Sequence, residues 1–237
     1  GGMIFANVLA EGTKSKIQDV YINDMLVVVK KTARVGDEIS TSEADILQGL
    51  PAHPNVMRYL FHKADRHWIN LFLMKYSFSL RDFIDRVRDE EGTFPPGLIA
   101  SVMTDVCGGI AHLHENSVIH RDLKSDNILV VADEANDIQH CVVGDFDSAR
   151  KLNLGDVFTS FVGTPTYLAP EVIGSKKGPL PFMGKKVPAN RKADIWGIGL
   201  ILYEILTLER PTANDINGKP KAPPLPSAVK KRESLKS

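Results

Sequence analysis

The segment His120-Arg121-Asp122-Leu123-Lys124-Ser125-Asp126-Asn127 gathers a carboxylate, an ammonium and a carboxamide on one short stretch of chain. A carboxylate can orient a hydroxyl and accept its proton, an amide oxygen can hold a divalent cation, and an ammonium can steady an anionic group in transit. Together these are the parts that phosphoryl transfer from ATP to a hydroxyl uses, a reaction in which positioning and charge supply most of the catalysis. A further carboxylate follows in Asp145-Phe146-Asp147, and Ala169-Pro170-Glu171 lies beyond it.

These groups need elements to position them. Ile128 to Val131 and Val142-Val143 are short β-branched runs around a polar stretch, and they predict a hairpin. That hairpin carries Asn127 just before one strand and Asp145 just after the other, so the two converge at one end. Leu26-Val27-Val28-Val29-Lys30 predicts a buried strand ending in Lys30, and Ile46, Leu47 and Leu50 predict a helix beginning near Glu43. Leu80, Phe83, Ile84 and Val87, then Ile99, Val102, Met103, Val106, Ile110 and Leu113, each line one helical face. Ile195 to Leu206 predicts a helix apolar nearly all round, hence buried, with Asp194 at its start and too short to span a bilayer.

In their order and separation, the three motifs resemble the eukaryotic protein kinase family, of the serine/threonine type. The likeness runs from the first residues to about Leu208. It implies an α+β, bilobal fold: a small β-rich N-lobe with one helix over residues 1–74, a hinge at 75–77, and a larger, mainly helical C-lobe over 78–210. It also implies that both lobes are incomplete, the first strand and part of a Gly-rich loop being absent at one end and the last helices at the other. Residues 211–237 form a Pro-, Lys- and Ser-rich tail.

The resemblance implies roles for particular residues. Asp122 is the base, Lys124 steadies the phosphate, and Asn127 and Asp145 hold magnesium. Lys30 grips the phosphates of ATP and pairs with Glu43, with Asp45 as the competing carboxylate. His53-Pro54-Asn55 follows the Glu43 helix as the family's H-P-N turn does. Met74 lies at the back of the adenine pocket, the backbone from Lys75 through Tyr76 to Ser77 hydrogen-bonds the base, and Val28 and Leu129 sandwich it. Gly1 and Gly2 are either the remnant of the Gly-rich loop or an appended pair before an initiator Met3. Thr164, in Gly163-Thr164-Pro165-Thr166-Tyr167, contacts Asp122 and Lys124. Asp194 ties down the catalytic loop or simply caps its helix, and Leu47, Tyr59, His120 and Phe146 stack between the lobes.

The triplet at Asp145 departs from the family's D-F-G, since Asp147 stands where glycine is usual. The expectation is that Asp145 still binds magnesium while Asp147 restricts the swing of Phe146 without abolishing catalysis. Arg121 beside Asp122 implies control by phosphorylation of the segment that follows, with Thr159 or Ser160 as the target of an upstream kinase. The main rival is a pseudokinase, a nucleotide-binding or scaffolding module.

Composition adds limits. The chain has 237 residues, 43% of them hydrophobic and 24% charged, with 29 acidic and 29 basic side chains. Such a balance points to neither a nucleic acid nor a membrane partner; the protein substrate with a Ser or Thr acceptor is what the resemblance implies, through Lys124 and Thr164. Two cysteines, Cys107 and Cys141, give no disulfide framework, and no stretch reads as a secretory signal, so the expected location is cytoplasmic. Lys176, Lys177, Lys185 and Lys186 fall in a long link before Asp194, expected as a surface insertion.

Overall fold

The computed structural model describes residues 3–11, 15–23, 25–33, 42–152, 157–158, 163–169, 187–188 and 191–211. Its upper part is an antiparallel sheet of β1 (Met3–Glu11), β2 (Ser15–Ile22), β3 (Met25–Ala33), β4 (Tyr59–Ala64) and β5 (Trp68–Met74), in the order β1-β2-β3-β5-β4. Alternation along β3 sorts its side chains. Val27 and Val29 join Val20 and Phe72 in a small core on the outer face, while Val28 and Lys30 face the cleft below. Helix α1 (Ser42–Gly49) packs its Ala44 and Leu47 into the main core, which runs on into the lower part.

The expected loss of the first strand is corrected here, because two strands precede the Lys30 strand and form a hairpin whose pairing runs to Glu11 and Lys16. Met3 pairs with Ile22, at the opposite end of β1 from that turn. Gly1 and Gly2 lie outside the described residues.

The lower part opens with β6 (Phe78–Ser79) and α2 (Leu80–Asp89). Ser79 and Asp82 form a reciprocal capping box at the start of α2, where the side chain of each accepts from the other's backbone N–H. Helix α3 (Pro96–Glu115) has the length and composition of a membrane span, but it is seated as a core helix, with Val102, Val106, Ile110 and Leu113 fully buried. Burying each such side chain stabilises the fold by about 1.5–3 kcal/mol. Gly109 lets α3 approach its neighbours closely, since a Cβ there would come within 2.7 Å of Val143 Cγ2.

Strands β7 (Val118–Ile119), β8 (Ile128–Ala132), β9 (Ile138–Val143) and β10 (Arg150–Lys151) follow, then the short pair β11 (Val157–Phe158) and β12 (Val187–Pro188). The β8–β9 hairpin is the expected one, with Ile128 opposite Val143. Both of its strands are held from above. Ser77 N–H donates to Val130 O at 2.9 Å on β8, and on β9 Met57 N–H donates to Val143 O at 2.8 Å while Val143 N–H donates to Asn55 O at 2.9 Å.

Helix α4 (Lys192–Thr207) is not buried all round. Ile195 and Leu206 are 55% and 50% exposed, whereas Glu204 is fully buried. The reversal has an electrostatic cause: Arg81 Nη1, Ser125 Oγ and Tyr167 Oη donate to Glu204 at 2.8, 2.7 and 2.6 Å, giving the carboxylate a charged partner and two hydroxyls.

Candidate active site

The loop from His120 to Asn127 is fixed from below by Asp194. One carboxylate oxygen accepts from His120 N–H at 3.0 Å and contacts His114 Nε2 at 2.8 Å, and the other accepts from Arg121 N–H at 2.9 Å. Burial alone would raise the Asp194 pKa, but these donors and the neighbouring imidazoles hold it below the usual carboxylate value. The anchorage matters because Arg121 sits at φ 69°, a left-handed conformation costly for such a residue. His120 reaches across to Gly144 O at 2.8 Å and meets the Phe146 ring edge-on at 5.4 Å between centroids.

Above that anchor, Asp122 is the hub of a small network. Thr164 gives Asp122 Oδ1 both its backbone N–H, at 2.7 Å, and its hydroxyl, at 2.8 Å. Lys124 Nζ lies 3.0 Å from Asp122 Oδ2 and 2.7 Å from Thr164 Oγ1. Asn127 turns its amide nitrogen to Asp122, at 2.8 Å from the backbone oxygen and 3.3 Å from Oδ2. Its amide oxygen, a hard ligand suited to magnesium, has no hydrogen-bond donor among the described residues. Asp145, at φ 55°, holds the facing position beyond β9.

A second hub is Lys30. Its ammonium lies 3.1 Å from Glu43, 2.9 Å from Asp145 and 2.8 Å from Asp147. Burial would lower the Lys30 pKa, but the three carboxylates carry it above its ordinary value. Burial raises that of Glu43, helped by the charges of Asp147 and Asp145 against the pull of Lys30. Glu43 also accepts from Phe146 N–H at 3.2 Å, which ties α1 to the segment after β9. Asp45 is exposed and points elsewhere, so Glu43 is the partner of Lys30.

Between the hubs runs a cleft of about 530 Å³, large enough for a nucleotide. Val28 and Leu129 line it, as do Met74, Lys75, Tyr76 and Ser77, together with Lys30, Glu43, Asn127 and Asp145. Leu9 and Ile17, which the sequence reading passed over, complete its roof from the β1–β2 hairpin. One hinge expectation is narrowed: the Ser77 N–H is bonded to Val130 O, leaving Lys75 and Tyr76 to offer backbone donors to a base. Lys75 extends its side chain to Asp19, 2.6 Å away.

Asp147 is absent from the residues with positive φ, so its side chain is not strained by standing where the family has glycine. Phe146 beside it is fully buried. Thr159, Ser160, Pro170, Glu171 and the lysine-rich link fall outside the described residues, apart from the two of β12.

Such a fold, with a carboxylate-centred loop under a lysine–glutamate pair, is the architecture of the protein kinase class. Sequence comparison agrees, since the protein kinase domain profile matches residues 5–225, and the chain belongs to that family. It is 31% identical over 77% of its length to the Kinase and exchange factor for Rac B of Dictyostelium discoideum, and 31% identical over 73% to the Serine/threonine-protein kinase Nek3 of Mus musculus. It is 34% identical over 67% to the Serine/threonine-protein kinase shk2 of Schizosaccharomyces pombe. The matched segments make up 16%, 31% and 24% of those relatives.

Proposed function

We propose that this chain transfers the γ-phosphate of ATP to a Ser or Thr hydroxyl of a protein substrate. The observation that carries the reading is the bonding of Lys124 and Thr164 to each other and to Asp122, beside the oxygen ligands of the cleft. Asp122 orients the acceptor hydroxyl and takes its proton as the oxygen bonds to the γ-phosphorus and the bond to the β-phosphate oxygen breaks, releasing ADP. Lys124 faces the charge of the group in transit. Lys30 draws the α- and β-phosphates, and Glu43 fixes the position of Lys30. Asn127 and Asp145 are the oxygen donors that would hold magnesium, which neutralises phosphate charge when bound.

Preference for Ser and Thr rests on Lys124 and Thr164 and on the serine/threonine kinases among the relatives. Arg121 donates to Ser148 O at 2.5 Å, and burial together with the neighbouring Arg150 pulls its pKa down to about 10. A cation so placed favours a nearby anion, and phosphorylation of Thr159 or Ser160 by an upstream kinase would supply one. A cytoplasmic setting, with no nucleic acid or membrane partner, belongs to the same proposal and fits the balanced charge.

The test is transfer of labelled γ-phosphate to a generic basic protein by the chain, by Asp122→Asn and by Asp145→Asn. Transfer by the unaltered chain, reduced about 10²–10⁴-fold in Asp122→Asn and lost in Asp145→Asn, is the expected result. Nucleotide binding without transfer in the unaltered chain would instead favour the pseudokinase, a reading that the carboxylates crowding Lys30 support.

A further inference from the structure

Resting on the nucleotide-binding reading, we infer that Asp147 makes nucleotide capture conditional on a divalent cation, by occupying the phosphate-binding lysine until one arrives. A lysine ammonium has three N–H donors. Glu43, Asp145 and Asp147 each lie within ion-pair distance of Lys30 Nζ, and Glu43 and Asp145 also accept hydrogen bonds from it. A phosphate oxygen that approaches Lys30 therefore competes with carboxylates already gathered around it.

The three are unequally held. Glu43 is largely buried and is bonded to Phe146 N–H as well as to Lys30. Asp145, just beyond the β8–β9 hairpin at φ 55°, has a side chain 42% exposed and accepts a hydrogen bond from Lys30 at 2.9 Å. Asp147 has a side chain 51% exposed on the cleft lining, and Lys30 is its ion-pair partner among the described residues. It is the carboxylate that yields.

Its departure does not remove its charge from the cleft. The cluster holds three carboxylates against one ammonium, and a displaced Asp147 carboxylate then stands among phosphate oxygens of the same sign. At such separations like charges repel strongly even at the intermediate dielectric of a half-open cleft. A divalent cation offsets that repulsion, whereas a glycine or an uncharged side chain at position 147 would remove the share that Asp147 adds to that of Glu43 and Asp145. The side chain thus disfavours metal-free nucleotide more than the magnesium complex.

The experiment is calorimetric titration of the whole chain with ADP, in excess magnesium and in EDTA, for the unaltered protein, Asp147→Asn and Asp147→Gly. Half-exposed Asp147 contributes no packing, and thermal melts of the variants run alongside verify that they fold. In the unaltered chain ADP should bind about 100-fold tighter with magnesium than without it, and either variant should shrink that ratio by about tenfold, chiefly by tightening metal-free binding. A ratio unchanged to within about twofold in both variants would overturn the inference and leave nucleotide binding standing. Absence of ADP binding by the unaltered chain in either condition would remove the reading beneath it.

Discussion

Thr164 gives both its backbone N–H and its hydroxyl to the same oxygen of Asp122, at 2.7 and 2.8 Å. The two residues are far apart in sequence, so the segment carrying Thr164 and Gly163 must be in place before the base is oriented. Gly163 permits this with φ 117°, its Cα passing so close to Arg121 O that a Cβ would come within 2.7 Å.

Thr164→Ala keeps the backbone donor but loses the hydroxyl shared by Asp122 and Lys124. The expected outcome is a fall in kcat of about 10–100-fold with little change in KM for ATP, because misplacement affects the reacting groups rather than the nucleotide. Thr164→Ser should retain most of the rate. Steady-state kinetics on the three proteins would decide, and equal rates for Ala and Ser would refute the role.

Glu43→Gln and Asp45→Asn form a paired test of the partner of Lys30. The first removes the buried charge next to Lys30 and should raise KM for ATP and lower kcat, together about 10–100-fold in kcat/KM. The second alters an exposed side chain and should leave kinetics and melting temperature within error.

Asp194→Ala withdraws an acceptor from the backbone N–H groups of both His120 and Arg121. Leaving such buried donors unpaired costs about 1–3 kcal/mol each, so destabilisation of about 2–5 kcal/mol is expected by denaturant titration. The pH dependence has a definite sign. The pKa of Asp194 is depressed in the fold, so its stabilisation is complete above the unfolded carboxylate value near about 4 and is lost as pH falls through the lower folded value. The stability gap between the unaltered chain and the variant should therefore narrow only in strong acid.

Arg81→Met leaves the buried Glu204 carboxylate with its two hydroxyl donors but no cation, and should cost about 3–5 kcal/mol. Adding Glu204→Leu to Arg81→Met should recover much of that loss, because the remaining cost came from an uncompensated charge. A double variant no more stable than the single one, measured by reversible unfolding, would mean that the two side chains pack rather than pair.

How far the sequence reached depended on how local each signal was. Asp122, Lys124 and Asn127 lie in one loop, and Lys30 and Glu43 sit on a strand and a helix with legible patterns, so their elements could be read locally, whereas their roles came from the family resemblance. The β1–β2 hairpin escaped notice because β1 is an edge strand that leaves Ile4, Phe5, Val8 and Leu9 exposed, without the in-and-out alternation that marks a strand. Glu204 and Arg81 were hidden for the opposite reason, since a charged side chain reads as surface unless its distant partner is known. The capture of Lys30 by Asp147 likewise joins strand β3 to a turn beyond β9, a pairing that no local pattern encodes.

Ser77 grips one strand of the β8–β9 hairpin, and Asn55 and Met57 grip the other, which constrains how the upper sheet can move over the lower part. With two strands pinned side by side, the upper sheet can rock as if about an axle laid through the hairpin, but sliding along it would break backbone hydrogen bonds on both sides at once. The same pinning keeps Lys30, on the upper sheet, in register with Asp145 just beyond β9.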